Sequence, residues 1–520
     1  MTPLYLVGST HSLIESRNLL PSLSSASNLA GKTKAPEISA CLKIKDSGNK
    51  SEVEVVVHMD LYLLVFFICL FSICDHCKSD VPVGFRVTLP VPSEFNMGFL
   101  GRAFLMETAQ IVPNLKAALS VEAINGKYSC SLEVFLGDTK VWNSGHFSQF
   151  YTSERCVLEL TKGGDLQLRG SRERIGWRTG TSGQGVERLQ LLGTGNLILS
   201  DAMNRVKWQS FNFPADVMLL GQRIDVSTRL TSFSGNPTSF YSFEIQKDKI
   251  ALYLNSGNLK YSYWEFRPSK SRNIVFAELG STGLELFNGR HRKIAQLSSQ
   301  RYEPLRFLAL GNKTGNLELY YYSPNEGKFV ASFQAFNTTC DLPLACKPYA
   351  ICTFSNTCSC IQFSRRASHL GSDCNGFSRG FCGGGQVEMV ELEGVVSILR
   401  GIQTINVSKE ECVNLCIDHC TCVSALYYAG GSPASQQECF LYGLVSGVKQ
   451  IDNVPGLSYL IKVPKGIGVD HGKTASARKW LLTMGWVVDG LVILLVLGGF
   501  GYYFFVIRKR RKNLPGSDNT

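Results

Sequence analysis

The 520-residue chain is poor in the residues that do chemistry. It has 8 His, and past residue 79 they stand apart at His146, His291, His369, His419 and His471, none with a sequence-local partner. No H-E-x-x-H, no G-x-S-x-G and no assembled Cys/His signature occurs, so the common metallopeptidase and serine-hydrolase patterns are excluded. Charge is scarce at 18% against 44% hydrophobic residues, a packed-domain composition that excludes wholesale disorder. Acidic residues fall short of basic ones, 42 against 53, for a net +11. Cysteine, at 18 of 520, is too thin for one knottin-like scaffold, and the length calls for several domains. Long apolar runs are nearly absent as well. Two exceptions set the topology.

Leu61 to Ile73 (LYLLVFFICLFSI) is thirteen uncharged residues, too short to span a bilayer but suited to the core of a secretory signal. Met59 stands just before it, so 59–79 is expected to be a signal peptide and 1–58 an upstream extension with no folded role. A missing basic n-region counts against this, and a signal anchor is the rival reading. Gly490 to Ile507 is eighteen uncharged residues followed at once by Arg508, Lys509, Arg510, Arg511 and Lys512. Length and basic stop predict a transmembrane helix over 485–507, with 508–520 cytoplasmic. The positive charge then divides: the tail carries +4 and the outside portion +7. That is a solvated surface rather than a nucleic-acid footprint.

The cysteines are clustered. Setting aside Cys41, Cys69, Cys74 and Cys77 leaves fourteen in groups of two, six and six. These are Cys130 with Cys156; Cys340, Cys346, Cys352, Cys358, Cys360 and Cys374; and Cys382, Cys412, Cys416, Cys420, Cys422 and Cys439. Even groups that close on themselves suit disulfide-bonded modules in an oxidising compartment, with the pairing inside each group left open. Zinc is the alternative for Cys416, Cys420 and Cys422, but no paired C-x2-C spacing supports it. The N-x-[ST] sequons at Asn312, Asn337 and Asn406 are expected glycosylation sites.

From 80 to about 335 short alternating runs are punctuated by Gly, Asn and Asp, the pattern of an all-β region. GGDLQL (163–168), TGNLIL (194–199) and TGNLEL (314–319) share one form, a tight turn into a strand, and mark internal repetition. Trp142, Trp177 and Trp208 recur at similar intervals, as if one indole from each repeat packed in a shared core. CVLELTKGGDLQLRG, LQLLGTGNLILSD and WQSFNFPADVMLLGQ resemble the bulb-type lectin domain of plant S-locus glycoproteins and G-type lectin receptor kinases. The resemblance continues through LRFLALGNKTGNLELY and CDLPLACKPYAICTFSNTCSC and ends in ECVNLCIDHCTCVSALYY, similar to a PAN/apple domain. It implies a mainly β fold: a bulb-type lectin β-prism (80–222), a second lectin-like β unit (223–338), an EGF-like module (339–381) and a PAN/apple module of a sheet with one helix (382–463). A juxtamembrane linker (464–484) and the single C-terminal transmembrane helix complete it. Within the PAN segment, Ser408 and Glu411 have capping-box spacing. Cys412 and Cys416 then fall on one helix face, placed to pin the helix to strands behind it.

The family's mannose motif runs Q-x-D-x-N-x-V-x-Y. Its places hold Thr161, Gly163, Asp165, Gln167 and Arg169 in one repeat; Leu192, Thr194, Asn196, Ile198 and Ser200 in the next; Asn312, Thr314, Asn316, Glu318 and Tyr320 in the third. The Asp place is vacant in all three. The surviving candidates for carbohydrate binding are Asp165, Gln167, Asn196, Asn316 and Tyr320, in sites read as degenerate, because each missing polar partner costs about 1–3 kcal/mol. The alternative is that these are turn residues that maintain the prism.

The resemblance thus implies a type I plasma-membrane recognition protein whose partner is an extracellular glycan, glycoprotein or peptide. A non-sugar-binding co-receptor or decoy, associating with a receptor kinase through its PAN and EGF-like modules, is the second reading. An ectoenzyme is the third and lacks any motif. Thirteen residues after the span leave no room for a kinase domain, so a signal is expected to pass through a partner. No cofactor, metal or nucleic acid is expected.

Overall fold

The computed structural model describes residues 7–8, 80–108, 112–233, 239–268, 273–363, 374, 387–430, 437–466 and 474–512. The expected signal peptide, Cys382 and the tail beyond 512 lie outside the described residues. In the upstream stretch, Val7–Gly8 pairs with Arg102 and Gly101. The chain forms two compact units, one of 1–345 with 398–401 and one of 346–397 with 402–520.

The lectin unit is built from strands that alternate buried and solvated residues. Its first half holds three sheets of similar plan. One is Leu100–Thr108, Leu115–Ile124, Lys127–Leu136 and Thr139–Asn143, with Phe150–Thr152 pairing off its side. The second is Arg86–Pro90, Arg155–Leu160, Leu166–Arg169 and Ile175–Arg178. The third is Asp80–Pro82, Val186–Leu191, Leu197–Asp201 and Val206–Gln209. The last strand of each sheet carries one tryptophan, and the three indoles meet. Ring centroids lie 6.3 Å (Trp142–Trp177), 5.9 Å (Trp142–Trp208) and 5.8 Å (Trp177–Trp208) apart, all edge to face. Such pairs add about 0.5–1.5 kcal/mol each beyond area burial. Around them Leu158, Leu160, Leu166, Leu168, Leu197 and Leu199 are fully buried. This is a β-prism closed on an aromatic axis.

The same plan recurs in a second prism. Its sheets begin with Val217–Leu219, Arg223–Asp225 and Arg229–Phe233, each joined by three later strands. Val217–Leu219 pairs with Phe307–Ala309, so the second prism draws its first strand from before residue 223. Its core has no tryptophan triad. Tyr241 and Tyr263 meet at 6.3 Å, and Tyr263 stacks on Phe336 and donates its hydroxyl to the Gly315 carbonyl at 2.6 Å. The TGN turns of 194–196 and 314–316 therefore belong to different prisms. Gly195 and Gly315 have φ of +87° and +70°, and a Cβ there would stand 2.5 Å from Leu219 and 2.6 Å from the Tyr241 ring. Only glycine meets both demands.

The cysteine-rich unit is organised by bridges. Cys346–Cys358 and Cys360–Cys374 staple a small hairpin, Ala350–Cys352 with Cys358–Cys360. That hairpin is not independent of the PAN segment, since Ile351 and Cys352 pair in parallel with Val448 and Lys449. The main sheet runs Val387–Leu392, Leu457–Pro464, Ser424–Ala429, Gln437–Tyr442, Ile402–Ile405. The helix Lys409–Asp418 lies against it. Ser408 caps this helix, accepting from the Glu411 amide at 3.2 Å while Glu411 accepts from the Ser408 amide at 2.7 Å. Cys412–Cys439 ties the helix to a strand and Cys416–Cys422 ties it to the loop after it. Those four sulfurs are buried.

Beyond the sheet, Thr474–Lys512 is one 39-residue helix. The segment expected as linker up to 484 is helical from 474, in keeping with the good helix formers Ala, Arg, Lys, Leu and Met there. Its span candidate, Gly490–Lys509, has 20 residues of mean hydropathy 2.3, about 30 Å at helical rise, the thickness of a bilayer core.

Candidate functional site: the lectin turns and a polar cavity

Asp165, Asn196 and Asn316 each stand just before a strand, directly after a tight glycine turn, and are buried; Gln167 is buried within the first of these strands and Tyr320 half-buried within the third. Asp165 is 3% exposed. One carboxylate oxygen accepts from the Thr179 hydroxyl (3.0 Å) and the Gly180 and Thr181 amides (2.8 and 3.1 Å). The other accepts from Gln167 Nε2 at 2.8 Å. Burial alone would raise this carboxyl; the donors from Gln167, Thr181, Thr179 and Gly180 outweigh it and hold it below its ordinary value. Gln167 Oε1 in turn accepts from Arg169 at 3.0 and 2.7 Å, and Arg169 reaches Glu159 and Glu173 at 3.3 and 3.4 Å. A closed charge network fills the first site.

The second and third repeats use an asparagine the same way. Asn196 donates to Gln209 (2.8 Å) and accepts from Ser210 and the Phe211 amide (3.3 and 3.2 Å). Asn316 donates to the Phe336 carbonyl at 2.9 Å and accepts from its amide at 3.1 Å. Tyr320 donates to Glu318 and stacks on Phe307 with centroids 4.7 Å apart. Burial with the adjacent Glu318 carboxylate pushes its phenol well above the ordinary value. In all three repeats the polar side chain clamps backbone 15 to 20 residues ahead.

The structure also assembles a cavity that the spacing of residues in sequence did not indicate. About 190 Å³ of space is lined by Glu122, Lys140, Asn143, His146, Asp216 and Asn312, among others. His146 Nε2 lies 2.8 Å from the Thr231 carbonyl oxygen and 3.1 Å from its hydroxyl. Burial lowers the His146 pKa, with Asp216 opposing, and burial raises that of Asp216, with His146 opposing. His146 and Asp216 stand seventy positions apart, so no local motif could have revealed them. The three sequon asparagines are all exposed.

With this geometry in hand, the comparisons are specific. Residues 139–240 match the D-mannose binding lectin family and 382–460 the PAN domain. A PAN domain-containing protein of Arabidopsis thaliana is 24% identical over 388 residues, covering 68% of this chain and 73% of the relative. A G-type lectin S-receptor-like serine/threonine-protein kinase, SD2-5 of the same plant, is 21% identical over 332 residues, 60% of this chain and 39% of the kinase. The chain thus spans about two fifths of that kinase's length. Among solved structures, a monomeric mannose-binding lectin from Gastrodia elata is 20% identical over 26% of this chain and 96% of its own, with a TM-score of 0.17. The chain is therefore a bulb-type lectin and PAN-domain protein. Its domain content and relatives are consistent with an S-locus-glycoprotein-like family.

Proposed function

We propose that the chain is a single-pass cell-surface recognition protein, its lectin and PAN modules outside the plasma membrane binding a glycan, glycoprotein or peptide, and that a kinase on a partner carries the signal inward. The observation that supports this best is a lectin prism and a disulfide-bonded PAN module on one chain, ahead of a 20-residue apolar helix with basic residues behind it. The name of the matched relative, a lectin receptor kinase, points the same way. In this reading Asp165, Gln167, Asn196, Asn316 and Tyr320 hold the prisms together and do not contact sugar, because their polar atoms are already bonded within the protein. The fourteen ectodomain cysteines are structural, and Asn312, Asn337 and Asn406 carry glycans.

That same internal bonding favours a second reading, a co-receptor or decoy that binds no sugar. A glycan array probed with the full chain in nanodiscs separates the two. Binding to at least one glycan class is expected. A blank array, together with a receptor kinase co-purifying from plant membranes, would replace the first reading with the second. Mannoside binding lost in Asn316→Ala but kept in a stability-matched control would overturn the structural role given to the turns.

A further inference from the structure

A larger cleft lies in the first prism, away from the motif positions. It encloses about 500 Å³, within the range of about 300–1,000 Å³ common for ligand sites. Its lining includes three cations, Lys127, Arg172 and Arg174, and no carboxylate. No described carboxylate lies within ion-pair distance of any of the three, although the region is crowded with paired charge. The neighbouring Glu173 is taken up by Arg86 (2.9 Å), Arg155 (2.8 Å) and Arg169 (3.4 Å). Those contacts, from Arg86 first, hold its carboxyl below the ordinary value. The protein thus neutralises one side of this turn and leaves the cleft side positive.

Backbone conformation points to the same place. Arg172 and Glu173 have φ of 54° and 56°, two successive left-handed residues where glycine would be the unstrained choice. Such strain concentrates at binding sites. The turn is fixed by Gly170 N–H to the Arg174 carbonyl (2.9 Å) and Arg174 N–H to the Ser171 carbonyl (3.2 Å). Arg174 is aimed by its bond to the Tyr151 carbonyl (2.8 Å) and its position over the Phe150 ring. The remaining walls suit a sugar: Phe95 is 45% exposed, the Tyr151 ring is half-buried beneath Lys127, and both offer faces for pyranose C–H groups. Ser153 and Ser171 supply hydroxyls.

We propose that this cleft binds an acidic oligosaccharide, its carboxylates held by Lys127, Arg172 and Arg174 and its rings packed on Phe95 and Tyr151. The proposal rests on the glycan-recognition reading and names the ligand class for it. Arginine suits the task because its planar fork meets a carboxylate with two parallel bonds. The probe is a linear oligomer of galacturonic acid, measured by calorimetry against the full chain in nanodiscs. Its fully methyl-esterified form serves as the uncharged counterpart of the same shape, and poly-glutamate as an acidic polymer without sugar rings. Binding of the acid form, at least tenfold weaker for the ester and for poly-glutamate, is the expected result. Arg172→Gly removes the guanidinium while relieving the left-handed strain, so it is expected to fold at least as well and to lose about tenfold in affinity. Arg174→Gln is expected to lose a similar factor. Equal binding of acid and ester, equal binding of poly-glutamate, no binding of the acid form, or full affinity in Arg172→Gly each overturns the proposal. A neutral glycan that binds the wild type and Arg172→Gly alike would sink this site while leaving the glycan-recognition reading standing.

Discussion

The lectin unit and the cysteine-rich unit solve one problem, holding short strands together, by different means. The first prism encloses a large apolar interior closed by three indoles, and its polar clamps recur with the same geometry at Asp165 and Asn196. One bridge, Cys130–Cys156, crosses it. Among the described residues the apolar cluster packed around the PAN helix is small, and four of its seven buried members are bridged cysteines. A small core cannot offset chain entropy by burial alone, so covalent links supply the remainder. The difference teaches where each unit is vulnerable: the prism to loss of volume or clamps, the PAN module to reduction.

Reduction should separate them most widely. Each bridge on the PAN helix is worth about 2–4 kcal/mol, so dithiothreitol is expected to abolish amide protection in 409–418 while the strands bearing Trp177 and Trp208 stay protected. Hydrogen exchange on the full chain reads both at once, and equal loss in the two units would erase the contrast. A smaller effect concerns a lysine with no exposure. Lys462 Nζ donates to the carbonyls of Cys416 and Ile417 (both 3.0 Å), His419 (3.2 Å) and Cys422 (3.4 Å). These include carbonyls from the helix end, which has no intrahelical donors left, and a cation there also meets the favourable end of the helix dipole. Burial lowers its pKa, with Asp418 opposing. Lys462→Met should lower protection of the helix amides by about 3 kcal/mol, roughly a hundredfold in exchange rate, with the prisms unchanged. If the helix is unaffected, the bridges alone hold it.

The smallest effect sharpens the comparison inside the lectin unit. Asp165 occupies the place held by asparagine in the other two repeats, so it alone makes the clamp sensitive to acid. Its carboxyl is depressed in the folded protein, so its stabilisation is fully present above the unfolded value near about 3.9. It is lost as pH falls through the lower folded value. Exchange at the Gly180 and Thr181 amides should therefore accelerate on acidification below about pH 4, while the Phe211 amide clamped by Asn196 keeps its protection. Asp165→Asn should remove that pH dependence at a cost of about 1 kcal/mol. A pH response that survives the substitution would assign it to another group.

Much of this was legible in one dimension because it depends on local order. The glycine turns, the alternating strands, the capping box of Ser408 and Glu411, and the apolar run after Gly490 are all set by neighbours within a few residues. The spacing of Trp142, Trp177 and Trp208 anticipated their meeting, since equal repeats place equal residues on one axis. Asp165, Asn196 and Asn316 were harder: the sequence shows a polar residue after a turn, and only the strand arriving 15 to 20 residues later shows what it bonds. The strand Val217–Leu219 was assigned by position to the first prism, yet its hydrogen bonds lie in the second.

By itself, then, the sequence determined the mainly β character, the grouping of cysteines and the apolar helix, because periodicity, turn chemistry and length act locally, while the lectin and PAN content was read from resemblance to a known family. Tertiary structure alone decided which polar atoms are spent. It placed Lys462 under a helix end, His146 near Asp216, and the Asp165, Asn196 and Asn316 side chains on distant backbone. Among the described residues it also left Lys127, Arg172 and Arg174 together without a carboxylate partner. Whether a side chain is satisfied depends on what arrives from elsewhere in the chain, and no local pattern encodes that arrival.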